Sequence, residues 1–155
     1  SYAEEFDHNS ESLMLFGNAG LGKTHAALAI AGIVLQKDFD VIYVSSPDFF
    51  GKLENARFDS SEDAETLLRT ASAADLLILD DLGTEMVTTF VQSALYQIIN
   101  GRLLEKKSTI VSTNLMPEAI AQRYSGQIAS RIEGEYQLLP FVGEDIRVLK
   151  KKRGL

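Results

Sequence analysis

The stretch Gly17-Asn18-Ala19-Gly20-Leu21-Gly22-Lys23-Thr24 constrains this chain more than any other part of it. It fits G-x-x-x-x-G-K-[ST] without a mismatch, a pattern that has physical meaning only between a β-strand and a helix. Leu13-Met14-Leu15-Phe16, just before it, is a short apolar run, and Thr24 to Gln36, just after it, is rich in Ala, Leu and Ile. Both flanks therefore agree with the loop. Glycines let such a loop turn tightly and point its N–H groups inward, which makes a cradle for phosphate. Lys23 would reach the β- and γ-phosphates of a nucleotide, and the Thr24 hydroxyl would hold Mg²⁺. The positive end of the helix that starts near Lys23 adds to the site. The competing reading is a glycine-rich turn followed by a surface lysine.

The rest of the chain alternates in the same way. Val41–Ser45 is a β-branched run, and Pro47 opens a helical segment through Asn55. Ser60–Ala71 reads as another helix and Leu76–Leu79 as a fully apolar strand ended by Asp80-Asp81. In Thr88–Lys106, Val91, Ala94, Leu95, Ile98, Ile99 and Leu103 share one helical face. Ser108–Thr113 is a strand by β-branching, followed by short helices around Pro117–Tyr124 and Gly126–Ile132 and a last strand at Tyr136–Leu139. Strands that are apolar on both faces and separated by helices predict an α/β fold, a three-layer αβα sandwich around a mostly parallel five-stranded sheet. In such folds ligands bind at the carboxyl ends of the strands. The glycine loop, Asp80-Asp81 and Asn114 all fall at that edge.

The chain has 155 residues, 45% of them hydrophobic, enough for one domain with a substantial core. With no cysteine, disulfides and thiolate metal sites are out of reach, and the two histidines are isolated. No apolar run approaches the roughly 18 residues of a membrane span. A net charge of −7 argues against a uniformly basic nucleic-acid face, though Lys150-Lys151-Lys152-Arg153 forms a local basic cluster or a solvated tail. Ser1–Phe6 reads as the end of a helix, so the chain is expected to be a fragment of a longer protein.

Leu76–Asp81 has the form of a Walker B strand. Asp80 would bind Mg²⁺ through water, and Asp81 would act as general base on the attacking water. Glu85 is either a second acid or a cap for the helix near Thr88. Asn114 would hold the lytic water or the γ-phosphate. Arg131 is either a surface arginine paired with Glu133 or Glu135, or a finger that completes a neighbour's site.

Gly20–His25, Leu77–Glu85, Ser112–Leu115 and Ser130–Ile132, in that order and spacing, resemble the AAA+ domain of bacterial replicative helicase loaders of the DnaC/DnaI type and the related transposition helper ATPase IstB. The resemblance covers about Tyr2 to Arg147. It implies an ASCE-type P-loop NTPase sheet, with the Asp80 strand between the P-loop strand and others and little or no C-terminal lid. It implies ATP and Mg²⁺ as cofactors, bound by Gly17 to His25, with Arg147 of Gly143-x-x-x-Arg147 as a sensor arginine and Arg131 acting in trans. It further implies assembly-stimulated hydrolysis in the cytoplasm; Asp81 departs from the glutamate common among AAA+ enzymes but fits the Asp-Asp of the initiator and loader group, and so short a base would make turnover slow. A replicative helicase, single-stranded DNA and further copies of the chain are the implied partners, and the helicase-docking module would lie N-terminal to residues 1–155. Asp48–Phe58 is the candidate DNA contact, with Lys52 and Arg57 for the backbone; Phe49 and Phe50 are either stacking platforms or core. The alternatives are the transposition helper, or a nucleotide-dependent adaptor with negligible turnover.

Overall fold

Burial along the strands explains the order of the sheet. β3 (Leu76–Leu82) and β4 (Ser108–Thr113) are buried along almost their whole length, whereas β2 (Val41–Ser45) is half-buried throughout and β5 (Tyr136–Phe141) is mixed. In the computed structural model, which describes residues 1–20, 22–59 and 61–142, β2 and β5 are the edges of a five-stranded sheet ordered β2-β3-β4-β1-β5, with β1 spanning Ser12–Gly17. Pro140 is tolerated because β5 is an edge. Every neighbouring pair is parallel, so the sheet is all-parallel where a mostly parallel one was expected.

On the side of β1 away from β5, its direct neighbour is β4, not β3. The Asp80 strand does lie between the P-loop strand and β2, but one place removed. Residues Ser112 and Thr113 therefore stand between the glycine loop and the acids.

Strand alternation divides the core in two. Leu13, Leu15, Leu76, Ile78 and Ile110 face helix α1 (Lys23–Gln36) and the segment around Ala3 and Phe6. Met14, Leu77, Leu79 and Val111 face the layer built from α2 (Ser46–Asp59), α3 (Ser61–Ala73), α4 (Thr89–Leu104), α5 (Pro117–Arg123) and α6 (Gly126–Glu135). Thr88 caps α4 by accepting the Val91 N–H at 3.1 Å, and Ser125 caps α6 by accepting that of Ile128 at 3.2 Å.

Two expectations change. Residues 2–5 form a turn rather than a helix end, held by Lys37 Nζ on the carbonyls of Glu4 and Phe6 at 2.6 and 2.7 Å. That turn packs where α1 ends, about 20 Å of helix from the glycine loop. On α4 the buried stripe ends on Arg102 rather than Leu103. Its guanidinium donates to Thr109 Oγ1 and to the carbonyls of Ala71, Ser72 and Ser108 at 2.7–3.0 Å, which makes burial of the charge tolerable. Gly143–Leu155, and so Arg147 and the basic cluster, lie outside the described residues, as does Leu21.

Candidate functional site

The loop after β1 holds conformations that only glycine adopts readily. Gly17, Gly20 and Gly22 have φ of 137°, 81° and 90°. At Gly17 a Cβ would also lie 2.0 Å from the Phe141 carbonyl oxygen, so β5 excludes any side chain there. Lys23, the first residue of α1, is buried and folds back to donate to the Gly17 and Asn18 carbonyls at 2.7 and 2.8 Å. Burial lowers its pKa from the ordinary lysine value, and the charges of Asp81 and then Asp80 oppose that shift.

One residue further along, the Thr24 hydroxyl donates to both carboxylate oxygens of Asp80, at 3.1 and 3.0 Å. Asp80 is buried and also accepts from the hydroxyls of Tyr43 and Ser112. The Tyr43 phenol is held neutral, its pKa raised first by burial and then by its hydrogen bond to Asp80 and the charges of Asp80 and Asp81. Asp81 differs from its neighbour. It is exposed, its φ is 61°, and the β3–β4 register shifts between Leu79 and Leu82. Aspartate is among the few residues that tolerate this left-handed region. The bulge lets consecutive carboxylates do different things, one locked into the sheet and one presented to solvent.

Asn114 is exposed just past β4. Thr113 fixes its turn by donating to the Leu82 carbonyl at 2.6 Å and accepting the Leu115 N–H at 3.0 Å. Ala19, Gly20, Lys23, Thr24, Asp80, Asp81 and Asn114 together line an open cleft of about 240 Å³, joined by Ser45, Ser112 and Thr113. The oxygen pair Thr24–Asp80 suits a hard cation such as Mg²⁺, which keeps several waters and takes few protein ligands. A larger groove of about 460 Å³ between β2, α2 and α3 is mainly apolar. The convergent polar groups are in the smaller cleft.

The structure does not bring every candidate together. His25 is exposed on the first turn of α1 and does not line the cleft. Arg131 is exposed on α6, in the helical layer opposite α1, and among the described residues forms no ion pair with Glu133 or Glu135. Glu85 is neither a cleft acid nor the cap of α4. It is buried, and its carboxylate accepts from Ser46 Oγ at 3.1 Å, the Gly83 N–H at 3.0 Å and the Tyr124 hydroxyl. Phe49 and Phe50 are core, packed edge to face at 5.2 Å. On the same helix Lys52, Arg57 and Phe58 are exposed, with the Arg57 guanidinium 4.6 Å from the Phe90 ring centre.

Sequence reasoning missed Tyr43 and Ser112. A signal was available for the second. Ser108–Thr113 carries four hydroxyls in a strand that must be buried on both faces, and buried hydroxyls require partners.

Comparison with known proteins agrees with this geometry. The family described as IstB-like ATP binding protein matches residues 3–131. The replicative helicase loader DnaC of Escherichia coli (strain K12) is 28% identical over 131 residues, covering 84% of this chain and 54% of that protein. The replicative helicase loader DnaI of Bacillus subtilis (strain 168) is 28% identical over 116 residues, covering 74% of this chain and 37% of that protein. The chain thus spans about half the length of DnaC. A crystal structure of the DnaC helicase loader superposes with a TM-score of 0.81 at 24% identity, over 91% of this chain and 84% of that one. The fold is that of an AAA+ P-loop NTPase. Among the described residues no helix is long and apolar enough to cross a membrane.

Proposed function

The chain belongs to the IstB-like ATP binding protein family, and from that premise we propose that residues 1–155 are the ATP-binding and ATP-hydrolysing domain of a replicative helicase loader. The observation that carries the reading is the meeting of Thr24 and Asp80 at 3.0 Å beside Lys23, in a chain homologous to loaders. The backbone N–H groups of Gly17–Gly20 and Gly22 would hold the triphosphate. Lys23 exchanges its two carbonyl partners for phosphate oxygens, a move open to a flexible ammonium. Thr24 and Asp80 would hold Mg²⁺, which when bound neutralises charge on the phosphate oxygens. Asp81 takes the proton of the attacking water, and Asn114 orients that water. An aspartate reaches less far than a glutamate, which fits slow turnover in a switch.

Arg131 does not line its own cleft and among the described residues forms no ion pair, and we assign it to the site of a neighbouring copy. Its guanidinium would stabilise charge on the transferred phosphoryl group across a subunit boundary. Lys52, Arg57 and Phe58 form the surface offered to single-stranded DNA, with the replicative helicase bound by a segment outside residues 1–155. On this reading the protein works in the cytoplasm.

A mixing experiment tests the finger. Arg131→Ala should keep ATP binding and lose assembly-stimulated hydrolysis, and adding a Lys23→Ala subunit should restore part of it. No restoration, under conditions in which unmodified subunits assemble, would count against a finger in trans. The family's name gives the context for a second reading, a transposition helper. Native mass spectrometry of the full-length protein with its host's replicative helicase and ATP separates the two, since only the loader forms a stoichiometric complex.

A further inference from the structure

Ser112 stands two residues before Asn114 in the Ser112–Leu115 motif, and its own side chain touches both acids. Because β4 runs between β1 and β3, its carboxyl end stands between the glycine loop and Asp80-Asp81. Ser112 Oγ donates to Asp80 Oδ1 and accepts the N–H of Asp81 at 2.9 Å. A hydroxyl has one proton, so the direction of both bonds is set: the proton goes to Asp80 and a lone pair to Asp81. Tyr43, from the edge strand, donates to Asp80 Oδ2 and reaches nothing on Asp81. Thr24 spans the two oxygens of Asp80. Three hydroxyls from three elements therefore fix Asp80, but only Ser112 extends that grip to the next residue. Asp81 needs it, because its φ of 61° at the register shift is held against the extended conformation of an ordinary strand residue.

We propose that Ser112 is a positioning residue that sets the geometry of Asp80 and Asp81 relative to one another, and that Tyr43 positions Asp80 alone. The inference rests on the reading of the cleft as a Mg-ATP site. The two residues then have separable signatures. Tyr43→Phe removes one of three donors to Asp80. It should raise the Mg²⁺ concentration needed for half-maximal nucleotide binding severalfold and lower turnover at saturating Mg²⁺ by much less than Ser112→Ala does. Ser112→Ala frees the Asp81 amide and misplaces the base. Its kcat should fall by about 10²-fold even when Mg²⁺ and ATP saturate, with ATP affinity nearly unchanged. Ser112→Thr keeps the hydroxyl and should recover most of the loss.

The test uses this chain with a fluorescent ATP analogue titrated against Mg²⁺, hydrolysis assays, and amide hydrogen exchange. In Ser112→Ala the Asp81 amide should exchange at least roughly fivefold faster, the loss of about one hydrogen bond, whereas Tyr43→Phe should leave it protected. Unchanged protection in Ser112→Ala, or turnover equal to the starting protein, overturns the inference. Failure of Ser112→Thr to rescue does the same, since a bulk effect on packing would not depend on the hydroxyl. If Ser112→Ala does not fold, Ser112→Cys keeps the volume without the strong donor and carries the same expectations. Lys23→Ala run in parallel keeps the two levels apart. Retained nucleotide binding there sinks the cleft reading, while the exchange result at Asp81 judges Ser112 regardless.

Discussion

Two buried lysine and arginine side chains sit at opposite ends of the sheet, and both donate to backbone carbonyls. At the carboxyl end Lys23 holds the oxygens of Gly17 and Asn18. At the amino end Arg102 holds those of Ala71, Ser72 and Ser108 together with Thr109 Oγ1. Their surroundings differ. Lys23 faces a cleft containing Asp80 and Asp81. Arg102 is 1% exposed, and burial pushes its pKa down to about 10, against smaller opposing effects of Tyr136 and Asp75. An ammonium on a flexible stem can leave two carbonyls for a phosphate, while a planar fork matched to several acceptors is committed to them. The same chemical contact is thus switchable at one end and permanent at the other.

The largest expected effect is at the switchable end. Lys23→Ala should abolish binding of a fluorescent ATP analogue while Tm moves by no more than about 3 °C; retained binding would erase the distinction between the ends. Arg102→Met should do the reverse. Stranding several buried carbonyls costs about 3–5 kcal/mol, roughly 10 °C in Tm by calorimetry, with nucleotide affinity of the folded protein unchanged. A variant as stable as the starting protein would make Arg102 an incidental burial. Gly17→Ala probes whether the loop's shape matters apart from Lys23. Its Cβ would meet the Phe141 carbonyl oxygen at 2.0 Å, so β5 must move and both stability and binding should drop.

The smallest effect concerns the permanent end and pH. Tyr136 is buried, its hydroxyl has no hydrogen-bond partner among the described residues, and burial raises its pKa to about 12. Tyr2 is also raised to about 12, chiefly by burial. A folded-state pKa above the unfolded value contributes stability below the unfolded pKa and loses it as pH rises. Tm should therefore hold up to about pH 10 and fall between about 10 and 12, with Arg102, whose pKa is lowered to about 10, opposing by about as much as one tyrosine contributes. Tyr136→Phe should be neutral or slightly stabilising at pH 7 and should reduce the alkaline slope. An unchanged slope would show that Tyr136 does not contribute.

Legibility in the sequence followed how local each cause was. The runs at 13–16, 41–45, 76–79, 108–113 and 136–139 located the five described strands, with the exact ends missed for the first, third and fifth. The glycine loop and the Asp80-Asp81 pair announced themselves because their chemistry needs fixed spacing. Glu85 was misread because its partners, Ser46 and Tyr124, are each 39 residues away. Arg102 went unremarked because an arginine beside an apolar stripe is ordinarily solvated, and the Ala71 and Ser72 carbonyls that accept from it are 31 and 30 residues away.

The sequence by itself determined the layered α/β architecture, the phosphate-cradle pattern and the identity of the candidate acids. Strand order was decided only in three dimensions, and with it everything that depends on β4 lying between β1 and β3. That placement brings Ser112 to both acids and lets the bulge at Asp81 separate a buried carboxylate from an exposed one. Hydrophobic period and glycine spacing are properties of neighbours along the chain. Hydrogen bonds between residues 31 or 32 positions apart, as Ser112 makes to Asp81 and Asp80, exist only after the sheet has assembled.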